Sequence, residues 1–169
     1  LLFFIIEYLD FSIKTSTKFK AATKLPLIGY LNEVEERASI FDVLENPSET
    51  DDKSHLSQML RKIRFEIEKK NKKKILISSC NTGEGKSFFL VSLAYYLSLN
   101  DHRVMVIDSN LKDRQLTDFF SPSKTLDDYF DGQAEIEDLI VNTGYKKMDF
   151  IGSHAGTISP FELGARKKY

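Results

Sequence analysis

The chain has one cysteine, Cys80, and no tryptophan in 169 residues. A lone thiol excludes an internal disulfide and any metal site built on paired cysteines, and it fits a reducing cytoplasm. The three histidines, His55, His102 and His154, are scattered without ligand spacing, so each reads as a surface or loop residue. Net charge is lacking too. Twenty-four basic residues against 25 acidic ones leave −1, which gives no global reason to expect nucleic acid or an acidic partner. No apolar run approaches the ~20 residues that span a bilayer. The most apolar stretch, Leu1-Leu2-Phe3-Phe4-Ile5-Ile6, lacks both the basic lead and the small-residue cleavage site of a signal peptide.

What is present suits one α/β domain with a tail or linker, since 41% hydrophobic residues can supply a core. A start at Leu-Leu rather than Met leads us to expect a piece of a longer protein. The apolar opening reads as a packed terminal helix or as the cytoplasmic end of a truncated transmembrane helix. Lys14, Lys18, Lys20 and Lys24 follow it with no acidic residue between them, as the positive-inside rule expects of a cytoplasmic flank. Residues 1–24 are therefore an apolar start with a basic flank. Residues 25–54 are an extended segment (Leu25–Leu31, biased away from helix by Pro26) and a polar linker carrying Asn46-Pro47-Ser48. The third unit, 55–169, opens with a helix over His55–Lys70, where Leu56, Met59, Leu60, Ile63 and Ile67 recur at helical spacing. Asp51, Asp52 or Ser54 is its expected cap.

The most specific signal follows. An apolar run, Lys74–Ser79, reads as a strand, and Phe88–Leu99 reads as a helix. Between them stands Cys80-Asn81-Thr82-Gly83-Glu84-Gly85-Lys86-Ser87. Strand, glycine-rich turn ending in Gly-Lys-Ser, and helix make a loop for nucleotide phosphates. The glycines let backbone N–H groups turn toward phosphate oxygens, and the helix start adds its positive dipole end. Residues Asn81 to Phe88 form the expected ATP-binding set. Lys86 reaches the β/γ-phosphates and Ser87 holds Mg²⁺. Cys80 stands where the usual pattern has its first glycine, and an ordinary glycine-rich turn is the competing reading.

Arg103–Asp108 is a second strand of the buried, continuously apolar kind. Thr125–Ile140 holds one or two amphipathic helices broken at Asp131-Gly132, and Met148–Gly152 is a third strand. Alternation at this spacing implies a parallel sheet flanked by helices. Asp108 ends its strand at the edge where open α/β sheets bind ligands. A carboxylate there enters a Mg²⁺ shell or accepts a proton from an attacking hydroxyl, unless it merely caps the next turn. Lys86 and Asp108 are thus the candidate catalytic residues, and Ser87 and Asp108 the candidate metal ligands.

The run Val104-Met105-Val106-Ile107-Asp108-Ser109-Asn110-Leu111-Lys112 resembles the second Walker-type motif of bacterial tyrosine kinases, apolar residues followed by Asp-x-Asp-x-Arg. Asn110 replaces its second acid and Lys112 its arginine. Asn81–Ser87 is similar to that family's Pro-Gly-Glu-Gly-Lys-Ser/Thr loop, with Thr82 for Pro. Leu25–Leu31 resembles its Leu-Pro-x-Leu-Gly segment, and Gln58-x-x-Arg61-x-x-Arg64 its ring-forming Glu-x-x-Arg-x-x-Arg helix. Thr125–Ile140 is similar to the helical segment after the second strand. Ser159-Pro160-Phe161-Glu162-Leu163-Gly164 resembles its Asn-Pro-Ser-Glu-Leu-Leu, and Leu1–Asp10 the end of its second membrane helix.

This resemblance implies a P-loop NTPase-like fold on the cytoplasmic face of a bacterial inner membrane. It implies an ATP- and Mg²⁺-dependent tyrosine autokinase within a polysaccharide co-polymerase, regulating exopolysaccharide or capsule length and export. Implied partners are the polymerisation and export machinery, the membrane, and further copies through the Gln58/Arg61/Arg64 helix. The related partitioning ATPases carry an extra lysine where Asn81 stands. The family's third acidic strand motif and its C-terminal tyrosine cluster have no counterpart here, and the seven tyrosines are dispersed. A catalytically weak nucleotide-binding assembly module therefore stays open as a second reading.

Arg61–Lys74 carries eight basic and two acidic residues. It reads as a solvated helix face, as a contact with anionic lipid, or as a contact with a neighbouring subunit. Interleaved aromatics that would point to nucleic acid are missing.

Overall fold

The computed structural model describes residue 13 and residues 15–31, 51–110 and 114–153, with the backbone alone for 51–54. A short helix, α1 (Ser16–Ala22), is capped by Thr15, whose side chain accepts from the Lys18 N–H at 3.2 Å. Residues 23–31 then run without regular structure. They cross the next helix, α2 (Asp51–Lys69), so closely that a Cβ on Gly29 would stand 2.6 Å from Ile63 Cγ1.

The buried residues of α2 are Leu56, Leu60 and Ile63, spaced four and three apart on one stripe. Leu56 and Leu60 meet α3 (Lys86–Leu99) at Tyr96, with Leu31, Phe88, Phe89 and Tyr95 packed around the contact. Polar links reinforce the packing. The Ser57 and Tyr96 hydroxyls are hydrogen-bonded, and Arg64 Nη1 donates to the Tyr96 carbonyl at 3.0 Å. The opposite side of α3 covers the sheet, where Val91, Ala94, Val106, Leu116, Met148 and Phe150 form the main core.

The sheet has three strands in the order β1-β3-β2: β1 (Val104–Ile107), β2 (Val141–Asn142) and β3 (Met148–Ile151). β1 and β3 are parallel, with Val104 opposite Met148 and Ile107 opposite Ile151, whereas β2 is antiparallel to β3. Between β1 and β2 come α4 (Gln115–Phe120), α5 (Leu126–Phe130) and a 3₁₀ turn, Ile136–Leu139. Ala134, Leu139 and Ile151 close a smaller cluster there with Leu126 and Tyr129.

Most expected elements form within a residue or two of their expected ends. The break at Asp131-Gly132 separates α5 from the 3₁₀ turn, with Gly132 in the left-handed region at φ +74°. Tyr95 and Tyr96 pack edge to face rather than facing solvent as substrates. Two expectations change. Lys74–Ser79 has no ladder partner and is not a strand of the sheet: Leu76 is 87% exposed, and a groove of about 450 Å³ lies between this segment and β1. A strand joins a sheet only at ~4.8 Å from its partner, and the groove keeps these two apart. For the same reason β1 is not buried on both faces. Met105 and Ile107 open onto the groove, and only Val106 is fully buried.

The sheet is accordingly mixed and small, flanked by helices. The resemblances at Leu1–Asp10, Leu111, Lys112 and Ser159–Gly164 lie outside the described residues, as does any capping side chain at Asp51–Ser54. No helix among the described residues is long and apolar enough to cross a membrane.

Two measurements check this architecture. Phe150 is fully buried and stacks near Phe120 at 4.6 Å between centroids, so Phe150→Ala is expected to cost about 3–5 kcal/mol in urea unfolding. A cost under ~1 kcal/mol would mean the core is elsewhere. The second concerns Asp128, whose carboxylate accepts the Thr125 N–H at 2.7 Å and so is held below the ordinary carboxylate range. A depressed pKa stabilises the fold above the unfolded value of ~3.9 and is lost as pH falls through the folded value. Wild type should therefore lose more stability than Asp128→Asn on acidification below about pH 5. Equal losses would show that the capping carboxylate contributes nothing.

Candidate phosphate-binding site

Helix α3 begins where the glycines allow the chain to turn. Gly83 and Gly85 have φ of +80° and +78°, a region that costs a side chain of L configuration energy, and Gly85 is the N-cap of α3. The first N–H groups of α3, on Lys86, Ser87 and Phe88, have no intrahelical acceptor and point out of the helix start. That is the donor set an anion requires.

The loop is braced from within. Glu84 Oε2 accepts the N–H of Cys80 at 3.1 Å and of Asn81 at 3.2 Å, and its Oε1 accepts Asn81 Nδ2 at 2.9 Å. The Asn81 amide is the main cause of a Glu84 carboxyl held below its ordinary range. Two N–H groups at the loop entrance are thereby turned to an internal carboxylate. The donors left for a ligand come from Thr82 onward, so Asn81 braces the loop instead of offering its N–H. Lys86 Nζ donates to Ser79 Oγ at 2.8 Å and to the Asn81 carbonyl at 3.0 Å, placing its ammonium over the loop mouth. Cys80 and Thr82 are exposed, while Phe88 turns its ring into the cluster of Leu56, Leu60 and Tyr96.

Lys86 and Ser87 share the 450 Å³ groove with Asp108, Ser109 and Asn110. The expected constellation is thus brought together along one sheet edge. Asp108 is only 5% exposed, and its N–H and both carboxylate oxygens are hydrogen-bonded. Its N–H donates to the Ile151 carbonyl at 2.9 Å, Oδ1 accepts the Asn110 N–H at 3.0 Å, and Oδ2 accepts the Thr117 hydroxyl at 2.9 Å. Thr117 Oγ1 in turn accepts the Ser153 N–H at 3.2 Å. Gly152 makes room for this network, since a Cβ there would stand 2.9 Å from Thr117 Cγ2 and 2.7 Å from Pro122. Asp108 therefore caps the following turn and also faces the groove. The two readings of it are compatible, because each carboxylate oxygen keeps one free lone pair.

Among the described residues no cluster of three or more His, Cys, Asp or Glu could hold a metal alone. A cation here needs phosphate oxygens and water beside Ser87 and Asp108, which is how Mg²⁺ is commonly held. The glycine turn, the outward N–H groups, Lys86, Ser87 and Asp108 fit a nucleotide with Mg²⁺. Reading the sequence missed Glu84 as a brace, although Asn81-x-x-Glu84 has the spacing of a capping box. It also missed Thr117 and Gly152, for which no local signal exists. In the expected ring helix, Gln58 and Arg61 are exposed, whereas Arg64 is turned inward to the Tyr96 carbonyl and to Glu68 at 3.6 Å.

Thr117→Val would leave Asp108 Oδ2 without its donor and the Ser153 N–H without its acceptor. We expect a loss of about 1–3 kcal/mol in urea unfolding, largely restored by Thr117→Ser. Equal stability of wild type and Thr117→Val would remove the network from the account of how Asp108 is held.

The chain matches no protein-family profile and no curated protein. Solved structures do match. The BceF tyrosine kinase domain superposes with a TM-score of 0.70 at 24% identity, over 89% of this chain and 65% of that one. The chimerical protein CapA2B2 gives 0.68 at 20% identity, over 88% and 63%. The kinase domain of the Escherichia coli tyrosine kinase ETK gives 0.60 at 22%, over 75% and 50%. The chain thus spans one half to two thirds of the length of these neighbours. Its fold is that of bacterial tyrosine kinase domains.

Proposed function

We propose that this chain is the nucleotide-binding part of a protein-tyrosine autokinase of P-loop NTPase-like type, taking ATP with Mg²⁺ at the loop Asn81–Phe88. The observation that carries this reading is the convergence of Lys86, Ser87 and Asp108 on one groove beneath a left-handed glycine turn. The fold shared with the BceF and ETK kinase domains supports it.

In this reading Gly83 and Gly85 bend the backbone so that the N–H groups opening α3 cradle the phosphates. Lys86 leaves Ser79 and Asn81 and neutralises charge developing on the transferred group. Ser87 and Asp108 hold the cation, whose chemistry is to offset phosphate charge. Asp108 alternatively accepts the proton of the attacking tyrosine hydroxyl. Glu84 keeps the loop entrance braced throughout.

The same reading places the domain on the cytoplasmic face of a bacterial inner membrane, within a polysaccharide co-polymerase that sets exopolysaccharide or capsule length. Assembly into rings would use Gln58 and Arg61. Arg64 is already committed within the subunit and contributes there only by exchanging partners. The specific rival is a non-catalytic assembly module that binds nucleotide as a switch, favoured by the internal bonds to both oxygens of Asp108. A partitioning-type ATPase is disfavoured by Asn81 in place of the extra lysine.

Lys86→Met is expected to weaken ATP binding about 10- to 100-fold in calorimetry, the worth of a charge-assisted hydrogen bond. Undiminished affinity would sink the site assignment. Incubation of the full natural protein with ATP and Mg²⁺ should yield phosphotyrosine. Nucleotide binding without phosphotyrosine would make the assembly module the correct reading.

A further inference from the structure

A tyrosine that receives phosphate from a kinase has to be exposed, because its ring must leave its own surface and enter another site. Among the described tyrosines only Tyr30 meets that condition, with 57% of its surface exposed. Tyr96 is buried and its hydroxyl is bonded to Ser57. Tyr95 and Tyr145 are half-buried against each other, edge to face at 5.6 Å between centroids. Tyr129 packs into the cluster of Ala134, Leu139 and Ile151. Tyr30 also stands on residues 23–31, which have no regular structure, the kind of backbone from which side chains are presented to other molecules.

The neighbours of Tyr30 decide whose phosphate it can meet. Gly29 is pressed against Ile63 of α2, and Leu31 packs with Leu56, Leu60 and Phe88 where α2 meets α3. Tyr30 is thus pinned on the α2 flank of α3. Lys86, Ser87 and Leu90 line the groove with Asp108 on the other flank. A helix with its side chains is about 10–12 Å across, and α3 stands between this tyrosine and the groove of its own chain. The helix beside Tyr30 is the one to which the proposed assembly assigns its contacts, through Gln58 and Arg61. The sequence after Tyr30 carries Glu33, Glu35 and Glu36, whereas Lys73 and Lys74 line the groove. Charge therefore favours bringing this tyrosine to the groove of another copy.

We propose that Tyr30 is a phosphate acceptor, modified by the phosphate site of a neighbouring copy of the chain; this rests on the kinase reading of that site. The phenolic oxygen of Tyr30 attacks the γ-phosphorus of ATP held by the neighbour. A new O–P bond forms as the bond from that phosphorus to the β,γ-bridging oxygen breaks. ADP leaves, and the phenolic proton passes to the Asp108 carboxylate of the neighbouring copy.

Two experiments test it. Tetranitromethane on the whole 169-residue chain should nitrate Tyr30 ahead of Tyr95, Tyr96, Tyr129 and Tyr145, a readout that needs no kinase activity. A protected Tyr30 overturns the proposal. The second experiment mixes two variants of the full natural protein with ATP and Mg²⁺. Lys86→Met keeps the acceptor and loses transfer, whereas Tyr30→Phe keeps transfer and loses this acceptor. Mass spectrometry should find Tyr30 bare in Lys86→Met alone and phosphorylated once Tyr30→Phe is added. Tyr30→Phe should bind ATP and unfold as wild type does, since it removes one exposed hydroxyl. If Tyr30 stays bare in the mixture while other tyrosines carry phosphate, the proposal falls and the kinase reading stands. Phosphate on Tyr30 of wild type at a rate independent of protein concentration, with none on Lys86→Met in the mixture, overturns transfer between copies. Absence of phosphotyrosine from every protein, wild type included, overturns the kinase reading and the proposal together.

Discussion

Helix α3 is apolar on nearly every side, and a helix of that kind has to be covered all round. Its placement follows from that constraint, and most of the structure follows from its placement. Leu56 and Leu60 fix α2 on one flank, and the strands bearing Val106, Met148 and Phe150 close the other. Because α3 starts at Gly85, the same packing sets where the phosphate loop sits and which way its first N–H groups face. Burial of apolar area, worth about 25 cal/mol per Å², therefore positions polar chemistry that contributes little to stability itself.

Two carboxylates show how the site is kept in shape. Glu84 is exposed and braces the loop through donors from its own neighbours, so it acts locally. Asp108 is buried and draws donors from α4 and from the turn after β1, and through its own N–H and the Thr117 hydroxyl it links these to the end of β3, far away in sequence. A buried carboxylate left unpaired is costly. The Thr117 hydroxyl, relaying the Ser153 N–H, meets that demand while leaving one side of the carboxylate toward the groove.

Much of this was legible in the sequence because the signals were local. Gly-Lys-Ser after an apolar run and before a helix needs no tertiary information, and Asp108 at the end of an apolar run needs little more. The helical spacing of Leu56 to Ile67 likewise announced α2. What was not legible depends on distance. Whether Lys74–Ser79 pairs with β1 is decided by what lies between them, which no local pattern encodes. Thr117 and Gly152 matter only because folding brings them to Asp108. The inward turn of Arg64 depends on a carbonyl 32 residues away in α3.

The phosphate loop is tied down on one side only. Behind it α3 is packed on both flanks, and ahead of it residues 74–79 lack ladder hydrogen bonds. Fixing a residue's backbone costs ~1–2 kcal/mol of conformational entropy. Anything that pairs this leading arm beforehand spares an incoming phosphate that cost, and a bound phosphate lowers the cost of pairing by the same amount. Order in the arm and affinity at the loop are thus two readings of one thermodynamic quantity.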